Sequence, residues 1–225
     1  MSEIIRVVLV DDQQLFREGV AIMVDAQPDM QVVGRASDGR EALDVIAQSA
    51  PDVVLMDIRM PVLDGVGATR ELFTPAAVAG RITPLKVIVL TTFNLDLSAA
   101  TAIRFGASGF LLKDSTPEFL TASIRAVHSG ASVIAPAALT DLFRSGEGEG
   151  SASAPPPAFD TLSSRELSIF TPAARGLSNA EIAAELFVSA HTVKSHISSI
   201  LAKLGLRDRV QLVVFAHEHA LLDQR

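Results

Sequence analysis

The stretch Ile5-Arg6-Val7-Val8-Leu9-Val10-Asp11-Asp12 decides the fold class: a nearly unbroken aliphatic run ends on two carboxylates. Runs of that kind suit strands buried on both faces, as in a parallel sheet covered by helices. Similar short runs recur at residues 31–34, 53–56, 87–90 and 109–112. Between them apolar residues fall at helical spacing, as with Leu15, Gly19, Ile22 and Met23, then Ala42, Leu43 and Ile46, then Phe119, Ile124 and Val127. Five strands alternating with five helices imply an α/β domain, a doubly wound five-stranded parallel sheet with right-handed crossovers. Ligands of such sheets sit beyond the carboxyl ends of the strands, at the switch in strand order.

Polar residues gather where that rule points. The first strand ends in Asp11 and Asp12, the third in Asp57, the fourth in Thr91 and Thr92, and the fifth in Lys113. One Asp after a strand is usually a turn former or helix cap; four strands delivering polar groups to one edge is a different matter. Three carboxylates in one cleft repel unless a cation neutralises them, and a hard divalent ion with oxygen ligands, Mg²⁺, meets that need. A lysine and a threonine hydroxyl supply the positive charge and the donor that phosphoryl oxygens take.

These residues resemble the receiver domain of two-component response regulators. The likeness runs over about residues 5–130 and is carried by Asp11-Asp12-Gln13, Asp57-Ile58-Arg59-Met60-Pro61 with Asp64-Gly65, Thr91-Thr92-Phe93, and Gly109-Phe110-Leu111-Leu112-Lys113. It implies a flavodoxin-like receiver in which Asp57 accepts a phosphoryl group from a sensor histidine kinase. Asp12, Asp57 and the backbone carbonyl of Arg59 would ligate Mg²⁺, with Asp11 contributing directly or through water, and Lys113 would bind the phosphoryl oxygens. Thr91 and Phe110 would form the switch, Thr91 moving toward the phosphoryl group and Phe110 turning inward, although an aromatic core residue on the fifth strand is also a sufficient reading of Phe110. Two departures stand out. The segment 71–84, with Pro75, Gly80 and Pro84, is longer than the family usually has and reads as an extended surface loop away from the acidic cleft. Lys113 precedes Asp114 rather than proline, so a trans bond is expected there.

The chain has 225 residues, a net charge of −7 and no Cys, which removes disulfides and thiolate metal sites and suits a reducing cytoplasm. Neither a signal peptide nor an apolar run long enough for a membrane span is evident, so a cytoplasmic protein is expected. Residues 1–140 carry 11 Lys+Arg and 16 Asp+Glu, residues 141–160 carry 1 and 4, and residues 161–225 carry 7 and 6. The acidic joint holds Gly146-Glu147-Gly148-Glu149-Gly150 and Pro155-Pro156-Pro157, a composition that cannot offset its ordering entropy by burial. The domains are thus expected at 1–130 and 161–225, with 131–160 a linker, partly helical and then Gly/Ser/Pro-rich.

Past the joint the periodicity is purely helical, predicting an all-α four-helix domain. Ser163 with Glu166 and Ser178 with Glu181 match the capping box, Ser189 opens a third helix over 190–204, and a fourth spans about 208–222. The second and third helices have helix-turn-helix length. Gly176 to Ala183, Thr192-Val193-Lys194-Ser195-His196 and Ile200 to Leu204 resemble the LuxR-type (NarL/FixJ-type) DNA-binding domain. That likeness implies a recognition helix in the major groove, with Thr192, Lys194, Ser195, His196, Ser198 and Lys203 as candidate DNA contacts. Residues 189–209 hold Lys194, Lys203, Arg207 and Arg209 against Asp208, a modest basic patch that calls for two copies on paired half-sites of double-stranded DNA. Pro172 inside the first helix predicts a kink or a late start. The stripe Val210, Val213, Val214 and Leu221 fits either a homodimer contact on DNA or internal core.

The reading is a transcription regulator, not an enzyme, in which phosphorylation of Asp57 controls dimerisation and DNA binding. A phosphotransferase built on the acidic cleft would give the helical domain no purpose. A phosphorylation-independent DNA binder whose receiver only dimerises remains the alternative.

Overall fold

The computed structural model describes residues 4–81, 84–92, 97–130 and 155–222. Phe93 and the joint through residue 154, including its expected helical part, lie outside the described residues. The chain divides into two compact units, within 1–133 and 134–225, each with its own core.

In the first unit, strands β1 (Ile5–Val10), β2 (Met30–Ala36), β3 (Val53–Asp57), β4 (Lys86–Thr91) and β5 (Gly109–Leu112) form one sheet in the order β2-β1-β3-β4-β5, all pairs parallel. The aliphatic strands are buried as their composition demands, β3 and β4 at every residue. The chain reverses its direction of travel across the sheet between β1 and β3, so a crevice opens there beyond the strand ends. The helices are α1 (Gln14–Asp25), α2 (Gly39–Ser49), α3 (Gly65–Leu72), α4 (Pro75–Ala79), α5 (Leu97–Phe105) and α6 (Pro117–His128). Four begin on side-chain caps: Asp38 accepts from Arg40 N and Glu41 N, Asp64 from Gly67 N, Thr74 from Ala77 N and Thr116 from Phe119 N.

Two expectations are corrected. Segment 71–84 is not simply an extended loop, because Thr74 caps and Pro75 starts a one-turn helix, α4. Helix α1 buries Val20, Ala21 and Val24, while Leu15 is 89% and Ile22 71% exposed. Its sequence supports two apolar stripes, and the one with small residues packs closer to the sheet. No cis peptide bond occurs among the described residues, in keeping with the Lys113-Asp114 expectation. The unit closes on Asp29, whose carbonyl accepts from Ile5 N at 2.9 Å while its carboxylate takes Arg125 Nε and Nη2, each at 2.7 Å.

The second unit opens with a 3₁₀ turn (Pro157–Thr161), followed by α7 (Ser164–Ala174), α8 (Asn179–Leu186), α9 (Ala190–Leu204) and α10 (Arg209–Glu218). Phe159 from the turn meets Phe170 edge-on at 5.3 Å, and Phe170 meets Phe215 likewise at 6.3 Å. Both capping boxes form, and Ser189 caps α9. Helix α7 does not start late: Ser163 caps it, and Pro172 is accommodated inside it, two residues before its end. Among the described residues no helix is long and apolar enough to cross a membrane.

Candidate functional site

The acidic cluster is assembled by chain geometry before any ligand is considered. Asp11 follows β1 and Asp57 ends β3, the two strands that flank the reversal in sheet order. Carboxylate oxygens of Asp11, Asp12 and Asp57 all lie within 4.8 Å of one another. Asp11 and Asp57 are buried at 2% and 5% exposure, and Asp12 is exposed at the mouth. Asp11 is held from both ends: its Oδ1 accepts from Gln13 N at 2.9 Å and its carbonyl from Arg17 Nη1.

Lys113 reaches the cluster from the end of β5, where its backbone N donates to the Thr91 carbonyl at 2.7 Å. Its Nζ donates to Asp57 Oδ2 at 2.9 Å and makes an ion-pair contact of 2.7 Å with Asp11 Oδ2. Burial pushes the Lys113 ammonium down, but hydrogen bonds and charge from Asp11 and Asp57 outweigh it, so its pKa lies above the ordinary value and it stays protonated. Burial pushes the Asp57 carboxyl up; Lys113 offsets only part of this, and the Asp11 charge adds to it, leaving it above an ordinary aspartate. Three carboxylates against one ammonium leave negative charge in excess, and an all-oxygen donor set suits a hard divalent cation. The residues present therefore fit a metal ion.

The other expected residues fall around this centre. Thr91 is buried at the end of β4, Arg59 is exposed two residues past Asp57, and Phe110 is half-buried on β5. The structure adds two residues that the sequence reading did not assign a role. Phe16 on α1 presents its ring to Lys113, with Nζ 4.9 Å from the centroid. Gly65 packs so tightly that a Cβ there would lie 2.0 Å from the Asp57 carbonyl oxygen. Asp64 and Gly65, the cap and first residue of α3, were legible only as part of the receiver likeness; the approach of Gly65 to Asp57 was not. Between them the turn at Val62 has φ 65, closed by Leu63 N donating to the Pro61 carbonyl at 2.7 Å.

In the second unit the surface of α9 divides the candidate DNA contacts. Lys194, Ser195 and Ser198 are exposed on one face, joined by His191, which spacing alone could have placed there. Thr192 and His196 are half-buried at its edge. Ser195 and Ser198 donate back to the carbonyls of His191 and Lys194 at 3.1 Å each. Lys203 is engaged by Glu166 Oε2 at 2.7 Å and the Thr161 carbonyl at 3.2 Å. Ser199 donates to the same Glu166, and Arg209 donates to Asn179 Oδ1 at 2.7 Å and the Leu177 carbonyl. Two of the four cations counted as a basic patch thus serve the fold. Val210, Val213 and Val214 are buried in this structure.

A parallel sheet with a carboxylate cluster and lysine at its switch point, followed in the chain by a helix-turn-helix, defines a DNA-binding response regulator. Comparison with known proteins agrees. Residues 7–125 match the response regulator receiver domain, and residues 160–216 match the luxR family of bacterial regulatory proteins. The chain is 39% identical over 223 residues to the transcriptional regulatory protein LiaR of Bacillus subtilis (strain 168), covering 97% of this chain and 100% of that one. It resembles the crystal structure of the response regulator ChrA of a heme-sensing two-component system, at 34% identity and TM-score 0.51, over 98% of this chain and 100% of that one. A LuxR-family two-component response regulator from Aurantimonas sp. SI85-9A1 gives 29% identity and TM-score 0.55, over 64% of this chain and 98% of that one. The chain belongs to the two-component response regulators with a receiver and a LuxR-type DNA-binding domain, and it is a transcription regulator rather than an enzyme.

Proposed function

We propose that a sensor histidine kinase phosphorylates Asp57 and that this controls dimerisation and DNA binding. The carrying observation is the convergence of Asp11, Asp12 and Asp57 within 4.8 Å, with Lys113 bonded to Asp57. An Asp57 carboxylate oxygen attacks the phosphorus of phosphohistidine; the O–P bond forms as the N–P bond breaks, and the imidazole nitrogen leaves with the electron pair. Such transfer asks the protein mainly for in-line positioning and charge neutralisation. Lys113 provides a fixed positive charge for the phosphoryl oxygens. Asp11, Asp12, Asp57 and the Arg59 carbonyl would hold Mg²⁺, which supplies further charge neutralisation when bound. Thr91 would donate its hydroxyl to the phosphoryl group, and Phe110, half-buried and without a hydroxyl, would respond by packing alone.

In the second unit α9 would enter the major groove of double-stranded DNA. Lys194, Ser195 and Ser198 would face it, with Thr192 and His196 at the edge, and Lys203 would steady the helix through Glu166. One open lysine makes a weak monomeric site, which favours paired half-sites and a homodimer.

The test is incubation with acetyl phosphate and Mg²⁺, read by intact-mass spectrometry and DNA footprinting. A single added phosphoryl group, absent from Asp57→Asn, with tighter footprints only for the phosphorylated wild type, is expected. Equal footprints for both proteins, with or without donor, would favour a phosphorylation-independent binder.

A further inference from the structure

A cavity of about 710 Å³ lies at the end of the sheet opposite the acidic cluster. Pro51 and Leu85, which precede β3 and β4, form its floor, and α2, the end of α3 and α4 form its walls. Helix α4 contributes Ala76 and Ala77, two small side chains, to the lining. Its lining is mostly apolar, with Leu43, Ile46, Leu72 and Leu85 prominent, and its volume falls in the range of small-molecule sites.

Two charged residues line it, and they differ in their commitments. Glu71 is held bidentately by Arg40, at 3.1 and 3.2 Å. Arg81 is half-buried; its guanidinium donates to the Leu72 carbonyl and lies 5.4 Å from the Phe73 ring centroid, and it has no carboxylate partner among the described residues. Burial pushes its pKa down, yet a guanidinium stays charged. A desolvated cation with donors to spare beside an apolar hollow is complementary to an anionic head on an apolar body.

We propose that this cavity binds a small amphipathic carboxylate, its hydrocarbon body among the leucines and alanines and its carboxylate on Arg81. The site is separate from the phosphorylation reading and stands or falls without it. Helix α3 joins the two regions, since Gly65 at its start abuts Asp57 and Leu72 at its end lines the cavity.

The probe is decanoate, titrated below its micellar range into the full-length ¹⁵N-labelled protein and followed by amide shifts. Saturable shifts confined to residues 43–51, 71–81 and 85 are expected, at least tenfold weaker in Arg81→Gln and in Ala77→Phe, which fills the hollow without touching the charge. Decan-1-ol should bind at least tenfold more weakly than decanoate. Shifts that never saturate or spread over both units, or equal affinity in the wild type and folded Ala77→Phe, would overturn the proposal. So would Arg81-dependent binding to phosphatidylglycerol vesicles without binding of free decanoate, which would make the site a lipid-surface contact.

Discussion

Gly65 and Val62 show how much the acidic site depends on the backbone beside it. A methyl at 65 would overlap the Asp57 carbonyl oxygen at 2.0 Å, so Gly65→Ala must push β3 and α3 apart. A loss of about 1–3 kcal/mol is expected from overpacking of this kind, read from urea unfolding, together with slower phosphorylation because Asp57 moves. Val62 poses the opposite case. It is 84% exposed and held at φ 65, a left-handed conformation that costs an L residue roughly 1–2 kcal/mol, more for a β-branched one. Val62→Gly removes that strain with little packing lost and adds about 0.5–1 kcal/mol of chain entropy to the unfolded state. A net gain of up to about 1 kcal/mol should appear as a higher urea midpoint. The acidic residues themselves were legible because strand ends are readable from aliphatic runs. Gly65's role was not, since close approach between two backbones leaves no mark in periodicity, and neither did the ring of Phe16 under Lys113.

Among elements, one carboxylate ties two helices of the second unit together. Glu166 closes the capping box of α7 on Ser163 and receives Ser199 and Lys203 from α9, while Lys203 also reaches the 3₁₀ turn at Thr161. Chiefly the Lys203 hydrogen bond, then that of the Ser163 backbone, holds the Glu166 carboxyl down at about 2. A carboxyl lowered on folding stabilises above its unfolded pKa and ceases to as pH falls through the folded one. The thermal midpoint of this unit should therefore drop between pH 4.5 and about 2, and Glu166→Gln should flatten that part of the profile. The cap half of this network was readable from Ser-x-x-Glu spacing; its long-range half, the bonds from Ser199 and Lys203, was not. Lys194 keeps its open place on α9. Lys194→Ala should weaken binding across sequences and lower the slope of log affinity against log salt by about 1, measured by fluorescence anisotropy at several salt concentrations. In α1 the spacing of Leu15, Gly19, Ile22 and Met23 pointed to one face, whereas the structure buries Val20, Ala21 and Val24.

At the scale of the whole molecule, alternating strands and helices and a change to purely helical spacing gave both architectures, because burial on both faces of a parallel sheet and on one face of a short helix leave different periods. What composition could not convey was the hollow lined by α2, the end of α3 and α4, since its walls come from segments far apart in the chain. Each unit has its own core, so each carries its chemistry on an independently packed frame.

The convergence on Asp29 has a topological corollary. Ile5 opens β1 and Arg125 lies in the last turns of α6, yet both bond to that single residue, so the first domain begins and finishes at one spot. A circular permutant that splices these ends through a short glycine linker, with new ends cut into an exposed turn remote from the carboxylates, is expected to retain the strand pairings of the parent, read from amide hydrogen exchange.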